Sequence, residues 1–141
     1  MEVSNVCEIS VELLQMHSLV KLNVYDCPDI KDLSPIIHNL TSLKHMEIKE
    51  CENLSALRDG ATLETLEIQG CPILESLPEG MMQNNTTLQS LSIMHCNSLR
   101  SLPSINSLKT LLIEWCEKLE LSLAEDMTQP LRFPYNVIYR N

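Results

Sequence analysis

One fifteen-residue pattern recurs along the chain and limits what it can fold into. Its clearest copy is Leu88-Gln-Ser-Leu-Ser-Ile-Met-His-Cys-Asn-Ser-Leu-Arg-Ser-Leu102, with apolar side chains at positions 0, 3, 5, 8, 11 and 14 counted from Leu88. This spacing fits neither a sustained helix nor a sustained strand. Leu91 and Ile93 alternate with Ser90 and Ser92, which places the two apolar residues on one side of a short strand. Leu88, Cys96, Leu99 and Leu102 reach the same interior only if the backbone turns on either side of that strand. One such coil leaves its apolar edges bare, so it must stack on copies of itself.

The copies are present. Position 0 is Leu19, Leu43, Leu63, Leu88 and Leu108, at successive spacings of 24, 20, 25 and 20 residues. Position 3 reads Leu22, Met46, Leu66, Leu91, Leu111, and position 5 reads Val24, Ile48, Ile68, Ile93, Ile113. Position 8 is always cysteine: Cys27, Cys51, Cys71, Cys96, Cys116. Position 11 is Ile30, Leu54, Leu74, Leu99 and Leu119; position 14 is Leu33, Leu57, Leu77 and Leu102, failing only at Ser122. Period and pattern are those of a leucine-rich repeat, whose units span about 20–29 residues. The expected fold is an α/β leucine-rich-repeat solenoid with a short parallel strand per repeat on the concave face and turns or short helices on the convex face. The expected divisions are a partial N-terminal repeat at 1–18, five repeats at 19–122 and an irregular C-terminal tail at 123–141.

In the opening segment, Met1, Val3, Val6 and Ile9 suit the tail of a preceding repeat, and Leu13, Leu14 and Met16 its outer arm. No polar cap of the kind that closes an exposed solenoid end is evident, so the chain reads as part of something longer. Leu33, Ile36, Ile37 and Leu40 keep helical spacing, with Ser34 placed to cap and Pro35 suited to the first turn. The stretch 78–87 gives the third repeat a similarly long arm, whereas 58–62 and 103–107 leave room only for a turn. Alternating long and short arms should widen the outer side of the stack and leave the strand face concave. Beyond Leu121 the pattern fails: 121–127 suits another convex helix, and no further strand is expected. The stretch 129–141 holds three of the five aromatic residues and two prolines. Two readings of it stand, a makeshift cap over the last coil or an end without a role.

Nineteen acidic residues against ten basic give a net charge of −9, which repels nucleic acid and anionic lipid alike. No apolar run approaches the roughly 18 residues of a membrane helix, and the first residues lack the basic start of a signal peptide. A soluble, cytoplasmic protein is expected. Five of the six cysteines occupy one column, where a small, buried, weakly donating side chain is needed, and free structural thiols are expected there. Their spacing of twenty residues or more opposes a zinc site. His95 and Cys96 are adjacent, so their side chains diverge and form no nucleophile pair. No enzyme, cofactor, metal or small-molecule substrate is expected.

The run Leu63-Glu-Thr-Leu-Glu-Ile-Gln-Gly-Cys-Pro-Ile-Leu-Glu-Ser-Leu-Pro-Glu-Gly-Met81, with its C-P-x-L-x-S-L-P-x-G element, resembles plant intracellular nucleotide-binding leucine-rich-repeat disease resistance proteins of the coiled-coil class. The likeness covers roughly Leu19 to Met127. It implies a protein-interaction module that recognises pathogen effectors or guarded host proteins, or restrains the receptor's own nucleotide-binding domain. The three glycines, Gly60, Gly70 and Gly80, form no phosphate-binding loop, so nucleotide binding does not carry over. The alternative is the substrate-recognition repeats of an F-box-type ubiquitin-ligase adaptor, which Leu22-Asn-Val-Tyr-Asp-Cys-Pro-Asp-Ile-Lys-Asp-Leu33 resembles but the later Ser-Leu-Pro endings do not. An extracellular plant receptor would want asparagine in the cysteine column.

The outward positions 2, 4 and 6, with position 7 at the rim, form the candidate working surface. Its partner-binding residues are Tyr25, Lys49, Gln69, Met94, His95, Leu112, Glu114 and Trp115. The first coils are charged and mixed in sign. Met94, Leu112 and Trp115 make a candidate apolar patch in the last two, of the kind that anchors a protein partner. In the competing reading, Leu112 and Trp115 meet a further repeat or pack under the tail.

Overall fold

The computed structural model describes residues 2–4, 7, 8, 10–57, 62–77, 87–102, 107–119 and 136–140. Chain order and sheet order coincide: β1 (Glu2–Ser4), β2 (Lys21–Tyr25), β3 (His45–Lys49), β4 (Thr65–Gln69), β5 (Ser90–Met94), β6 (Thr110–Glu114) and β7 (Asn136–Arg140) lie side by side. Every neighbouring pair is parallel. Two short helices, α1 (Val11–Leu14) and α2 (Ser34–Asn39), lie between the early strands. The described residues form a parallel-strand solenoid with little helix among them.

Register follows the sequence template residue for residue. Leu22, Met46, Leu66, Leu91 and Leu111 form one row across the sheet, and Val24, Ile48, Ile68, Ile93 and Ile113 the next. None of these ten is more than 6% exposed, and they share one core with the leucines of positions 0 and 11. A buried Leu or Ile contributes about 1.5–3 kcal/mol, so the stack gains by repetition, each coil covering its neighbour.

The backbone turns after each strand are also alike. The position-11 amide donates to the cysteine carbonyl three residues earlier in every repeat, from Ile30 to Cys27 at 3.4 Å through Leu119 to Cys116 at 3.1 Å. A hydroxyl just before position 0 ties each later coil to the one before it: Thr62 donates to the Leu43 carbonyl, Thr87 to that of Leu63 and Ser107 to that of Leu88, at 2.7, 2.9 and 2.7 Å.

The cysteine column departs from expectation at one end. Cys51, Cys71, Cys96 and Cys116 are free and buried. Each thiol donates to the carbonyl two residues earlier, from Cys51 to Lys49 at 3.5 Å, Cys71 to Gln69 at 3.6 Å, Cys96 to Met94 at 3.4 Å and Cys116 to Glu114 at 3.5 Å. Burial pushes the thiols of Cys51 and Cys116 up, which keeps them in the donating form. Cys27, however, is disulfide-bonded to Cys7, with the two Cα atoms 4.9 Å apart. Stacking sets that distance: neighbouring parallel coils lie about 4.8 Å apart, inside the range a disulfide spans. Counted by the β1–β2 register, Glu8 rather than Cys7 is the equivalent of Cys27, so the template search passes over Cys7.

The ends differ too. β1 supplies a strand to the opening segment: Val3 pairs with Leu22 and packs against the core. α1 buries Leu13 and is capped by Ser10, whose side chain accepts from the Leu13 amide at 3.1 Å. In α2 the N-cap position falls on Leu33, not Ser34, and carries no side-chain cap hydrogen bond; the Asp32 carboxylate just before it accepts from the Ser34 amide at 2.8 Å and from the Ser34 hydroxyl. Pro35 does stand in the first turn, and Ile36 and Ile37 are buried. β7 corrects the expectation that no strand follows Leu121. Val137 pairs with Leu111 and Tyr139 with Ile113, so a seventh strand follows the five repeats, and counting back along the sequence puts Pro134 at the place of the leading leucine. Most of the arms at 58–62, 78–87 and 103–107, and the segment 121–127, lie outside the described residues.

Candidate partner-binding face

Because alternate strand residues point to opposite sides, the burial of positions 3 and 5 sends positions 2, 4 and 6 to the other face. Position 2 gives the row Lys21, His45, Thr65, Ser90, Thr110; position 4 gives Asn23, Glu47, Glu67, Ser92, Leu112, Ile138; position 6 gives Tyr25, Lys49, Gln69, Met94, Glu114. No other described element covers this face.

Its first half is a charge network centred on Lys49. The ammonium contacts Glu47, lies 3.2 Å from Glu67 and stands 5.7 Å from the centre of the Tyr25 ring. Tyr25 Oη donates to Glu47 Oε2 at 2.6 Å. The Glu47 hydrogen bond raises the Lys49 pKa to about 12, with Glu67 adding to it. Partial burial, reinforced by the Glu47 carboxylate, raises Tyr25 to about 12. Glu47 itself is pushed up by burial but more strongly down by Lys49 and Tyr25, so its carboxyl stays below the usual range. At one edge Lys21 pairs with Glu2 at 3.1 Å, and Asn23 Nδ2 donates to Glu2 at 3.1 Å and to the Ser4 hydroxyl at 3.2 Å. Asn23 is 5% exposed, and its Oδ1 has no hydrogen-bond partner among the described residues.

A groove of about 420 Å³ runs along the face, lined by the position-2 side chains Lys21, His45, Thr65 and Ser90 and by Glu47, Glu67 and Ser92 of position 4. His45 Nδ1 and the Thr65 hydroxyl share a hydrogen bond of 2.8 Å along one wall.

The second half turns apolar. Leu112 registers with Ile138, which is 48% exposed, and Met94 stands one strand away in the position-6 row. At the strand ends the chain makes one further bond to the next coil. The amides of Asp26, Glu50, Gly70 and His95 donate to the carbonyls of Lys49, Gln69, Met94 and Glu114 at 2.9–3.0 Å. Position 7 lies in the left-handed region in all five repeats, with φ of 51°, 55°, 65°, 52° and 56° from Asp26 to Trp115. Only Gly70 adopts it freely; for the others it costs about 1–2 kcal/mol each. It also swings two rings together, for His95 and Trp115 lie parallel to within 7° with centroids 6.3 Å apart. Trp115 remains 51% exposed.

The eight sequence-derived site residues therefore fall in three places. Tyr25, Lys49, Gln69, Met94 and Glu114 form the single row that ends the strands; His95 and Trp115 stack at the rim; Leu112 lies inside the face beside Ile138. Leu112 lies beside Ile138 of the neighbouring strand, and Trp115 rests on His95 with half its surface open. The sequence reading missed Ile138, because Pro134 hid its repeat, and missed the rim conformation, because four of its five members are not glycine.

No family model and no curated protein matches the chain. Among the described residues no helix is long and apolar enough to cross a membrane.

Proposed function

We propose that this chain is a leucine-rich-repeat module of the plant intracellular disease-resistance type, working in the cytoplasm through protein–protein contact across its open strand face. The bound protein is an effector, a guarded host protein or the receptor's own nucleotide-binding domain. One observation carries this reading. Five consecutive repeats keep their outward rows in register and present side chains graded from charged to apolar, and nothing described packs on them. The Cys-Pro and Ser-Leu-Pro elements of the repeats add the family resemblance. An apolar strip rimmed by polar groups, with a half-exposed Trp at its edge, has the anatomy of a protein contact.

Proximity labelling in leaf tissue tests it, comparing the wild-type chain, a Leu112→Glu/Trp115→Ala variant of the face and a Val11→Glu variant away from it. The reading expects a defined set of labelled proteins that the face variant loses and the Val11 variant keeps. Identical sets from all three would refute it, and cullin-ligase subunits in the set would move the assignment to the F-box alternative.

A further inference from the structure

The chemistry of the face narrows its partner. Along the groove floor the charges nearly cancel but not fully: Glu47 and Glu67 share one ammonium, that of Lys49, while Lys21 is held by Glu2. One negative charge remains. The residual negative charge, carried by two carboxylates that line the groove, calls for a cationic hydrogen-bond donor. Further along the row, Leu112 and Ile138, flanked by Met94 and Trp115, call for aliphatic or aromatic side chains.

We infer that the open face takes an extended polypeptide segment laid across the strands, with a basic side chain over Glu47 and Glu67 and an apolar anchor over Leu112 and Ile138. This rests on the protein-contact reading above and adds the chemistry of the contact. The geometry also fixes a spacing. The carboxylates sit on β3 and β4 and the apolar pair on β6 and β7, two to four strands on. At about 4.8 Å per strand that is roughly 10–19 Å, which an extended chain rising about 3.3 Å per residue covers in about three to six residues. The net charge of −9 favours approach of such a basic segment, and salt should weaken that attraction.

Trp115 is the only tryptophan, so its fluorescence reports on binding without a label. The probes are tryptophan-free ten-residue peptides with two arginines, a five-residue Gly/Ser spacer and Leu-Ile-Leu, made in both chain directions. One of the two should give a saturable signal. Replacing its arginines by glutamate, or cutting the spacer to one residue, should weaken binding at least about tenfold, as should Glu67→Gln or Leu112→Ser in the protein, with circular dichroism confirming the fold. A tenfold loss corresponds to about 1.4 kcal/mol, the scale of one lost anchor. Absence of saturation, indifference to spacer length, or wild-type affinity in both protein variants would overturn the inference. If peptide binding fails in any of these ways while the Leu112→Glu/Trp115→Ala chain still loses its labelled proteins, protein contact survives and only the basic-segment chemistry falls.

Discussion

Replacing Ile68 by alanine is the sharpest test of the stacked core. Ile68 is 0% exposed and pairs with Ile48 on one side and Ile93 on the other. The substitution removes three carbons, about 2.4 kcal/mol at about 0.8 kcal/mol each. Ile48 and Ile93 are held by their own strand ladders and close little of the space, so a cavity penalty adds about 1 kcal/mol and brings the loss to roughly 3–4 kcal/mol. With a urea slope of about 2 kcal/mol/M, the unfolding midpoint should fall by about 1.5–2 M. The outward neighbour Glu67→Ala should cost under about 1 kcal/mol, since its side chain is 37% exposed and its ion pair is screened. Two probes sharpen the measurement, circular dichroism for all coils and Trp115 fluorescence for the last ones. In a nearest-neighbour stack, weakening the third coil should separate these transitions, leaving the fluorescence midpoint above the dichroism midpoint. A shift below about 0.5 M, or one that Glu67→Ala equals, would refute the assignment of position 5 to a shared interior.

Three further outcomes are expected. Cys7→Ser opens a disulfide joining residues 20 apart and should lower stability by about 3 kcal/mol on the chain-entropy estimate, read by urea titration with and without reductant; no difference between the two conditions would show the bond is not formed in solution. Because Tyr25 and Lys49 both have folded pKa values raised to about 12, their contribution is full below about pH 10 and lost as pH rises through 12; Glu47, with its pKa lowered, loses its contribution as pH falls below its ordinary value of 4.5. Tyr25→Phe should therefore flatten the alkaline limb of a stability–pH profile and Glu47→Gln the acid limb, and a profile unchanged by both would remove the network from the account. Thr87→Val removes the hydroxyl that donates to the Leu63 carbonyl at 2.9 Å and should cost about 1 kcal/mol in thermal or urea unfolding.

Much of this was legible residue by residue. The alternation of Leu91 and Ile93 with Ser90 and Ser92 is a local matter of strand geometry, so which side chains face inward follows from the sequence. The cysteine column was readable for the same reason, since a buried turn needs a small side chain and a thiol can donate to the carbonyl two residues back. The Ser or Thr before each leading leucine was equally visible and was passed over, because its role appears only when the previous coil's carbonyl lies beside it. Ile138 escaped notice because a degenerate repeat keeps the shape of its strand after losing the leucine that marks it. Ser34 does not cap α2 because the helix begins one residue earlier than hydroxyl placement suggests, which makes Ser34 its first residue and Leu33 the N-cap.

The sequence by itself determined the repeat, the inward and outward faces of each strand and the sign of the chain's charge, because all of these depend on period and composition within a single coil. Tertiary structure alone decided how the coils meet: the Cys7–Cys27 bond, the Lys49 network, the His95–Trp115 stack and the groove between the position-2 and position-4 rows. Each joins residues about twenty or more positions apart in the chain, or places side chains on neighbouring turns. Their distances are set by the lateral spacing of parallel strands, which no count along one strand contains.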